Sequence, residues 1–588
     1  MHTDVQEPER GTAPLSRPEI ETAQESQPSR RGLLLPALAT AVLLWASYFP
    51  LNIGWLGWFA LVPFLVLIRS PARARRLYPV SFLAGLLFYL ASIQWMRVAD
   101  YRMYATWIGL SIACALFFPV IVFLTRWLDR RTGLPLIVTF PAVWTALEYV
   151  RAHLFTGFPW YFLSHSQHAY LPVIQITDVT GAYGVSFLLA AANVWIFELL
   201  NYGFGFRSNP AHPHPPSPPS RARDAKKPRS GVSLVAQTSA LLVAIGLVLA
   251  YGYWRLSQDQ FESGTVVALI QGNLNQEIRN EGTSGVEDAI AHIKAHYGGL
   301  TDQAVSHSEK PSLIVWPETS YPYDWLETSS DLPPEAVPEW WSRDVQVCQI
   351  LARQRAARWR TDLLLGMNCS VLVAENKEAR FNSAVFTSAS GDYAGRYDKI
   401  HCVPFGEYVP MKDWLPLMNK LAPYDFDYSV RAGENFTRFT HGGYRFGVLI
   451  CYEDTDPYLA RQYVRSDTGG PPADFLINIS NDGWFHGTSE HEQHLAICCF
   501  RAIECRRAVA RAVNMGISAV IDGNGRVVAL PGPTWRESKQ IAAVLTASVP
   551  IDHRTSLYAS WGDWLPWSCW ALIAAGVLWG LVRRAGLR

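Results

Sequence analysis

The chain has 588 residues, more than one domain usually holds. Hydrophobic residues make up 49% and charged residues only 17%, below the usual quarter, and the mean hydropathy is only slightly positive, which suggests a mixture of membrane and soluble parts. The formal net charge of +1 gives no footprint for a nucleic-acid partner.

Residues 1–29 are polar and rich in Pro, Glu, Gln and Ser. They read as a disordered tail without a signal-peptide cleavage pattern. Long apolar segments follow at 33–50, 54–69, 79–96, 104–126, 133–150, 181–201 and 232–254, with another at 564–582. Most approach the roughly 20 residues that cross a bilayer. The pattern predicts a multi-pass α-helical membrane bundle of about eight spans.

Basic residues set the orientation. They cluster at Arg30-Arg31, at Arg69, Arg73, Arg75 and Arg76, at Arg126, Arg130 and Arg131, and at Arg583, Arg584 and Arg588. A proline-rich linker at 205–231 adds Arg207, Arg221, Arg223, Lys226, Lys227 and Arg229. The alternate loops are nearly bare, with Arg97 and Arg102 in one and only Arg151 across 151–180. Seven spans over 30–254 and one within 561–588 put every basic loop on one side. Both termini then lie in the cytoplasm, and residues 255–560 form an extracytoplasmic domain. The aromatic stretch Phe155–Phe162 suits the bilayer interface, as a plain anchor or as a substrate contact.

From about 264 the pattern changes. Apolar runs at 265–271, 312–316, 362–367, 383–387, 446–450 and 474–479 read as strands. Stretches at 285–306, 340–357, 457–464 and 490–510 read as helices. Residues 518–522 and 527–530 flank Gly523-Asn524-Gly525 as a hairpin. The alternation predicts an α/β layered domain.

Reactive residues sit where these strands end: Glu318 in WPET, Lys399 in YDK, Cys451 in ICYED, and Asn478 to Asp482 in NISND. Sites gather at such ends. Cys451 poses a question, because the carboxylates just after it should disfavour a thiolate. Lys399 is the cation that could offset them and later stabilise an oxyanion. Glu318 is placed to move the proton. Asp454, Thr455 or Asp456 can cap a helix starting at Pro457, and a helix start beside the sulfur would help the thiolate. A Glu-Lys-Cys trio of this kind supports acyl transfer through a thioester.

WPET at 316–319, YDKIHCVPFGEYVP at 397–410, ICYED at 450–454 and NISNDGWF at 478–485 resemble the nitrilase, or carbon–nitrogen hydrolase, superfamily. The match continues through His494, Arg501, Glu504, Arg511 and ISAVIDGNGRV at 517–527. With the apolar spans, residues 33–583 resemble the bacterial apolipoprotein N-acyltransferase family. The resemblance implies an αββα sandwich, with Glu318 as general base, Lys399 as oxyanion-stabilising cation and Cys451 as nucleophile. It implies that Glu407 positions the lysine and substrate, that Tyr452 and Glu453 are needed beside the nucleophile, and that Asn382 lies near the site. Trp484 and Phe485 are implied as structural or acyl-contacting. The implied reaction moves an acyl chain from a phospholipid, typically phosphatidylethanolamine, to the α-amino group of an apolipoprotein's S-diacylglyceryl-cysteine. The implied place is the bacterial inner membrane.

No cofactor is expected. His486, His491 and His494 suggest a metal, but HGTSEHEQH shows no further ligands, so none is expected. The cysteine spacing has no metal signature, and disulfides in the exported part are not deducible. Insertions at 321–345 and 411–435 could alter access, the first as a lid or as a packed surface loop. The alternatives are a membrane-bound amidase or nitrilase-type hydrolase, and an inactive lipid-binding or transport relative.

Overall fold

A computed structural model describes residues 30–204 and 233–585, except 376, 410–411, 413, 415–428 and 466–469. The tail at 1–29, the linker at 205–231 and most of 411–435 lie outside the described residues.

The first ten helices are α1 (Arg30–Ala46), α2 (Val62–Arg69), α3 (Ala74–Ser92), α4 (Met103–Ala115), α5 (Phe117–Thr132), α6 (Leu136–His153), α7 (Leu171–Ile174), α8 (Thr177–Thr180), α9 (Ala182–Phe204) and α10 (Leu234–Leu256). Among the described residues, four helical stretches are long and apolar enough to cross a membrane: Met103–Thr132, Ala182–Gly203, Leu234–Leu256 and Trp564–Val582. The expected span at 104–126 is two helices end to end. The break precedes Pro119, which cannot donate to the preceding turn. The expected span at 54–69 is a 3-10 turn, Gly54–Trp58, followed by the eight-residue α2. A side chain on Gly54 would strike the Ser166 carbonyl, so this glycine serves close backbone packing instead of a continuous helix.

The aromatic loop after α6 is not a surface anchor. Phe158, Trp160, Tyr161 and Phe162 are buried, and only Phe155 is fully out. Arg151, which looked like a loop charge in the sequence, is internal. It donates to the carbonyls of Phe158 and Trp160 at 2.8 and 2.6 Å, and to that of Tyr161. Glu148 accepts the Leu163 N–H at 2.8 Å. These two charged side chains of α6 fold the loop back on the bundle.

The remaining helices are α11 (Gln276–Thr283), α12 (Glu287–Val305), α13 (Glu339–Trp359), α14 (Pro457–Val464), α15 (Glu490–Cys505), α16 (Trp535–Ser538), α17 (Leu557–Trp561) and α18 (Trp564–Ala585). The strands are β1 (Glu262–Gln271), β2 (Leu313–Val315), β3 (Trp325–Thr328), β4 (Asp362–Ala374), β5 (Lys377–Thr387), β6 (Tyr393–Asp398), β7 (Arg438–His441), β8 (Tyr444–Ile450), β9 (Phe475–Asn481), β10 (Ala508–Asn514), β11 (Ala519–Ile521), β12 (Val527–Ala529) and β13 (Ala543–Ile551). One sheet has the order β13-β1-β2-β4-β5-β6, with β3 also paired to β4. The other has the order β12-β11-β10-β9-β8-β7.

Strand alternation builds the layers. Val267, Leu269, Leu313 and Val315 meet Val448, Ile450 and Ile477 between the sheets. Ala268, Ile270 and Ile314 face the other way, onto Ile293 and Tyr297 of α12 and Ala352 and Trp359 of α13. Leu459 of α14 and Leu495 and Cys498 of α15 pack with the core of the second sheet. The result is the expected α-β-β-α sandwich. The opposite side of α15 meets the bundle, with Phe500 and Ile503 against Phe162, Ile174 and Tyr183.

One expectation fails locally, and one pair of alternatives resolves toward the packed loop. The helix expected over 490–510 stops at Cys505; Arg506 turns left-handed (φ 47°), and 508–514 is the strand β10. The stretch 321–345 is not a free lid. It contributes β3, and Tyr321, Trp325 and Trp341 are buried while Trp340 faces out.

A buried seam joins bundle to sandwich. Asp178 takes the Arg255 and Arg506 guanidinium groups at 2.7 and 2.8 Å, and the Tyr251 hydroxyl at 2.8 Å. Glu504 accepts the Ala182 N–H at 2.8 Å and pairs with Arg501 at 2.9 Å.

Candidate active site

Glu318, Lys399 and Cys451 follow β2, β6 and β8 and converge at one end of the sandwich. Lys399 is 1% exposed. Its ammonium lies 3.2 Å from Glu318 Oε1 and 2.8 Å from Glu407 Oε2. Asn382, on β5, donates its amide to both acids, at 2.7 Å to Glu318 and 2.8 Å to Glu407. The structure therefore brings all four residues together. Burial pulls the lysine pKa down, but Glu318, Glu407 and Cys451 outweigh it and hold the ammonium well above the usual lysine value.

Each acid is also fixed by the backbone. Glu318 Oε2 accepts the Asn481 N–H at 3.0 Å, and Glu407 Oε2 accepts the Val403 N–H at 2.7 Å. Arg279, on α11, donates to the Glu318 carbonyl at 2.8 Å. Gly366 lets β4 pass the turn before Glu318, since a Cβ there would meet the Pro317 carbonyl at 2.1 Å. Asn481 lies in the NISND strand end that the sequence pointed to, whereas Arg279 was not singled out. Arg279 lies far away in the chain, within a polar helix that carries no motif.

Cys451 opens a 3-10 turn (Cys451–Thr455) with φ at +53°, a conformation unfavourable for any residue with a side chain. The acids that follow it are each neutralised in place, which answers the puzzle of the sequence. Glu453 accepts the N–H groups of Ile400, His401 and Ile450 at 2.7, 3.0 and 2.7 Å, and the Tyr397 hydroxyl at 2.9 Å. Burial still pushes its carboxyl up to about 7. Asp454 is held by Arg511 and His494, both at 2.8 Å. Asp456 caps α14 through the Tyr458 N–H at 2.8 Å and meets His401 at 3.1 Å. The thiol itself is pushed up to about 12, chiefly by burial and then by Glu318, against the pull of Lys399 and His494.

Tyr452 ties this turn to the bundle. Its ring stacks on Trp160 at 6.3 Å, and its hydroxyl donates to the Gly157 carbonyl at 3.3 Å. Trp160 and Tyr161 both donate to Gln493 of α15, at 3.0 and 2.6 Å. Phe485 packs edge-on against Trp95 of the bundle at 4.8 Å, a domain contact.

Asp482, Glu490 and His494 place one donor atom each within 4.8 Å of one another, the spacing of a metal centre; the sequence raised His494 with His486 and His491, but not these two acids as its companions. Asp482 and His494 Nε2 are already engaged, whereas Glu490 Oε2 and His494 Nδ1 have no hydrogen-bond partner among the described residues. Asp482 accepts the Ser480 hydroxyl at 2.7 Å and Arg511 at 3.0 Å, and His494 is bonded to Asp454. Burial, and then the Asp482 charge, push the Glu490 carboxyl up to about 7. All nine cysteines are free thiols.

Residues 40–195 match the apolipoprotein N-acyltransferase N-terminal domain, and residues 266–557 match the carbon-nitrogen hydrolase family. An apolipoprotein N-acyltransferase from Geobacter metallireducens is 34% identical over 92% of this chain and 93% of its own length. Another from Rhodopirellula baltica is 28% identical over 93% of this chain and 97% of its own. A carbon-nitrogen hydrolase structure from Helicobacter pylori G27 aligns with 51% of this chain and 94% of its own, at 17% identity and a TM-score of 0.34. With both halves of the chain accounted for in one order and at nearly full length, the protein belongs to the apolipoprotein N-acyltransferase family.

Proposed function

We propose that this chain N-acylates apolipoproteins, the activity for which its relatives are named, and that Cys451 carries the acyl group. The carrying observation is the set of Cys451, Lys399, Glu318 and Glu407, with the lysine and Glu318 buried and the other two half-buried, mounted directly on an apolar bundle. Both substrates of such a reaction are lipids, which gives a nitrilase-like domain its reason to sit on a membrane.

The Cys451 thiol attacks the sn-1 ester carbonyl of a phospholipid, phosphatidylethanolamine for preference, as Glu318 takes the thiol proton. Lys399 stabilises the oxyanion. Collapse breaks the ester C–O bond, and Glu318 returns the proton to the departing lysophospholipid. The α-amino group of the acceptor's S-diacylglyceryl-cysteine then attacks the thioester. Glu318 takes the amine proton, the C–S bond breaks, and the proton goes back to Cys451. Glu407 and Asn382 position Lys399 and Glu318, while Tyr452 and Glu453 hold the nucleophile's turn.

The membrane placement follows the same reading. Eight crossings, with both termini cytoplasmic, put residues 255–560 outside the cytoplasm, on the outer face of the bacterial inner membrane. Two observations support it. The basic ends of α2 and α5 lie together, with Arg69 bonded to Asp129. The loops at Phe49, Trp95 and Gly157 instead meet the sandwich, at Gln493, Phe485 and Tyr452.

The test is intact-mass analysis after incubation with phosphatidylethanolamine, in wild type and Cys451→Ala. A hydroxylamine-sensitive adduct on wild type only, discharged by a diacylglyceryl-cysteinyl peptide and slowly by water, is expected. Rapid discharge by water alone means a hydrolase. No adduct with any phospholipid removes Cys451 as the acyl carrier.

A further inference from the structure

Leu449, Asn478 and Arg511 are register partners across the adjacent parallel strands β8, β9 and β10. Asn478 and Arg511 are fully buried, among Leu476, Ile477, Ala510 and Ala512. An amide and a guanidinium in mid-sheet are costly unless their bonds are made. Here the bonds lead to the nucleophile. Asn478 Nδ2 donates to the Leu449 carbonyl at 3.2 Å and to the Cys451 carbonyl at 3.3 Å. Asn478 Oδ1 accepts from Arg511 Nη1, which settles which way the amide faces. Arg511 is anchored in turn by Asp454 at 2.8 Å and Asp482 at 3.0 Å.

The left-handed backbone at Cys451 persists only where its surroundings over-determine it. We propose that Asn478, oriented by Arg511, is a positioning residue for acyl transfer: it clamps the carbonyls on either side of the Ile450–Cys451 corner and so fixes the direction of the thiol. This rests on the acyl-transfer reading above. It goes beyond that reading because neither residue touches Glu318, Lys399 or Glu407 through any of these bonds. The clamp also explains why the run 475–479, otherwise apolar, carries an asparagine at this register.

The experiment uses the full chain in lipid nanodiscs. It compares wild type with Asn478→Asp, which keeps the shape and the acceptor for Arg511 but loses both donors. Acylation of Cys451 in a single turnover is expected to slow about 100-fold, the scale of a misdirected attacking group. Half-saturation by phospholipid stays put, and so does the rate of alkylation by iodoacetamide, a small reagent that needs no fixed approach. An Asn478→Asp chain that melts cooperatively and acylates at the wild-type rate overturns the clamp. Should that variant show no cooperative melting, Asn478→Thr carries the test, because its hydroxyl keeps one donor. A rate about tenfold below wild type, the scale of one lost hydrogen bond, supports the proposal. A wild-type rate in Asn478→Thr overturns it. A wild-type chain that forms no adduct overturns the acyl-transfer reading and the clamp together, whereas an adduct formed equally fast by the variant overturns the clamp alone.

Discussion

Glu407 stands 2.8 Å from the Lys399 ammonium, nearer than Glu318 at 3.2 Å. One cation is thus shared by two carboxylates, and the Asn382 amide is shared by the same two. The arrangement keeps Lys399 charged without locking it to Glu318 alone. Glu318 stays available for the proton of Cys451.

Replacing Glu407 by Gln removes one of the two acids while keeping an oxygen for the Val403 N–H. Lys399 then pairs with Glu318 only. Acylation of Cys451 is expected to fall about 100-fold, the scale of a lost general base, with little change in melting temperature. Single-turnover acylation followed by mass spectrometry checks this; a wild-type rate would show that Glu407 has no part in the step.

Glu453 gathers four donors, and a glutamine cannot satisfy them all. In Glu453→Gln an amide N–H₂ faces backbone N–H groups of the Ile400–His401 or Ile450 corner. A loss of about 1–3 kcal/mol is expected, with slower acylation because the Lys399 and Cys451 ends are joined through this side chain. Tyr397→Phe removes only the hydroxyl donor and should lose less on both counts. Thermal melts alongside activity rank the two, and the reverse order would sink the argument.

Asp178→Asn leaves Arg255 and Arg506 facing each other without the acid between them. Removing one partner of a buried pair costs about 3–5 kcal/mol. The expected outcome is a melting temperature lower by several degrees and easier proteolysis at the joint. Acyl transfer measured well below the melt should be nearly unchanged, since the seam lies away from Lys399. Unchanged stability would mean the seam is held by other contacts.

His401 gives a pH test. Burial pulls its pKa down, but the bond to Asp456 prevails and holds the imidazole above the usual histidine value. A group raised in the folded state contributes stability that is full below the unfolded value, about pH 6.5, and is lost as pH rises through the folded value. The melting-temperature gap between wild type and His401→Gln should therefore be widest near pH 6 and narrow by about pH 9. A gap that widens with pH contradicts the assignment.

The layers and the places of Glu318 and Cys451 were legible because each of these two lies just past an apolar run; Lys399 follows the polar strand β6, YAGRYD, and stood out through its motif alone. The strand β10 was not. Its sequence, AVARAVN, continues straight from α15 with good helix formers and no Gly or Pro; only the left-handed Arg506 separates them. β3 was hidden in an aromatic stretch whose burial depends on pairing with β4. Arg279 carries no local signal; Asn478 and Arg511 were picked out by motif, but their pairing lies in register and could not be read from the chain. Arg151 misled in the other sense: a single arginine between apolar segments reads as a loop charge, but here it serves the backbone of its own loop.

The helix α18 has a consequence for how the molecule is made. Trp570 donates to the Ala146 carbonyl on α6, 424 residues apart in the chain, and Trp564 donates to Val179. The early helices emerge from the ribosome long before this partner exists, and chains are synthesised at about 5–20 residues per second. For tens of seconds the groove of α5 and α6 that receives α18 stands open to lipid. The insertion machinery must shelter it or tolerate it, and a ribosome that stalls within the sandwich leaves behind a bundle with one wall missing.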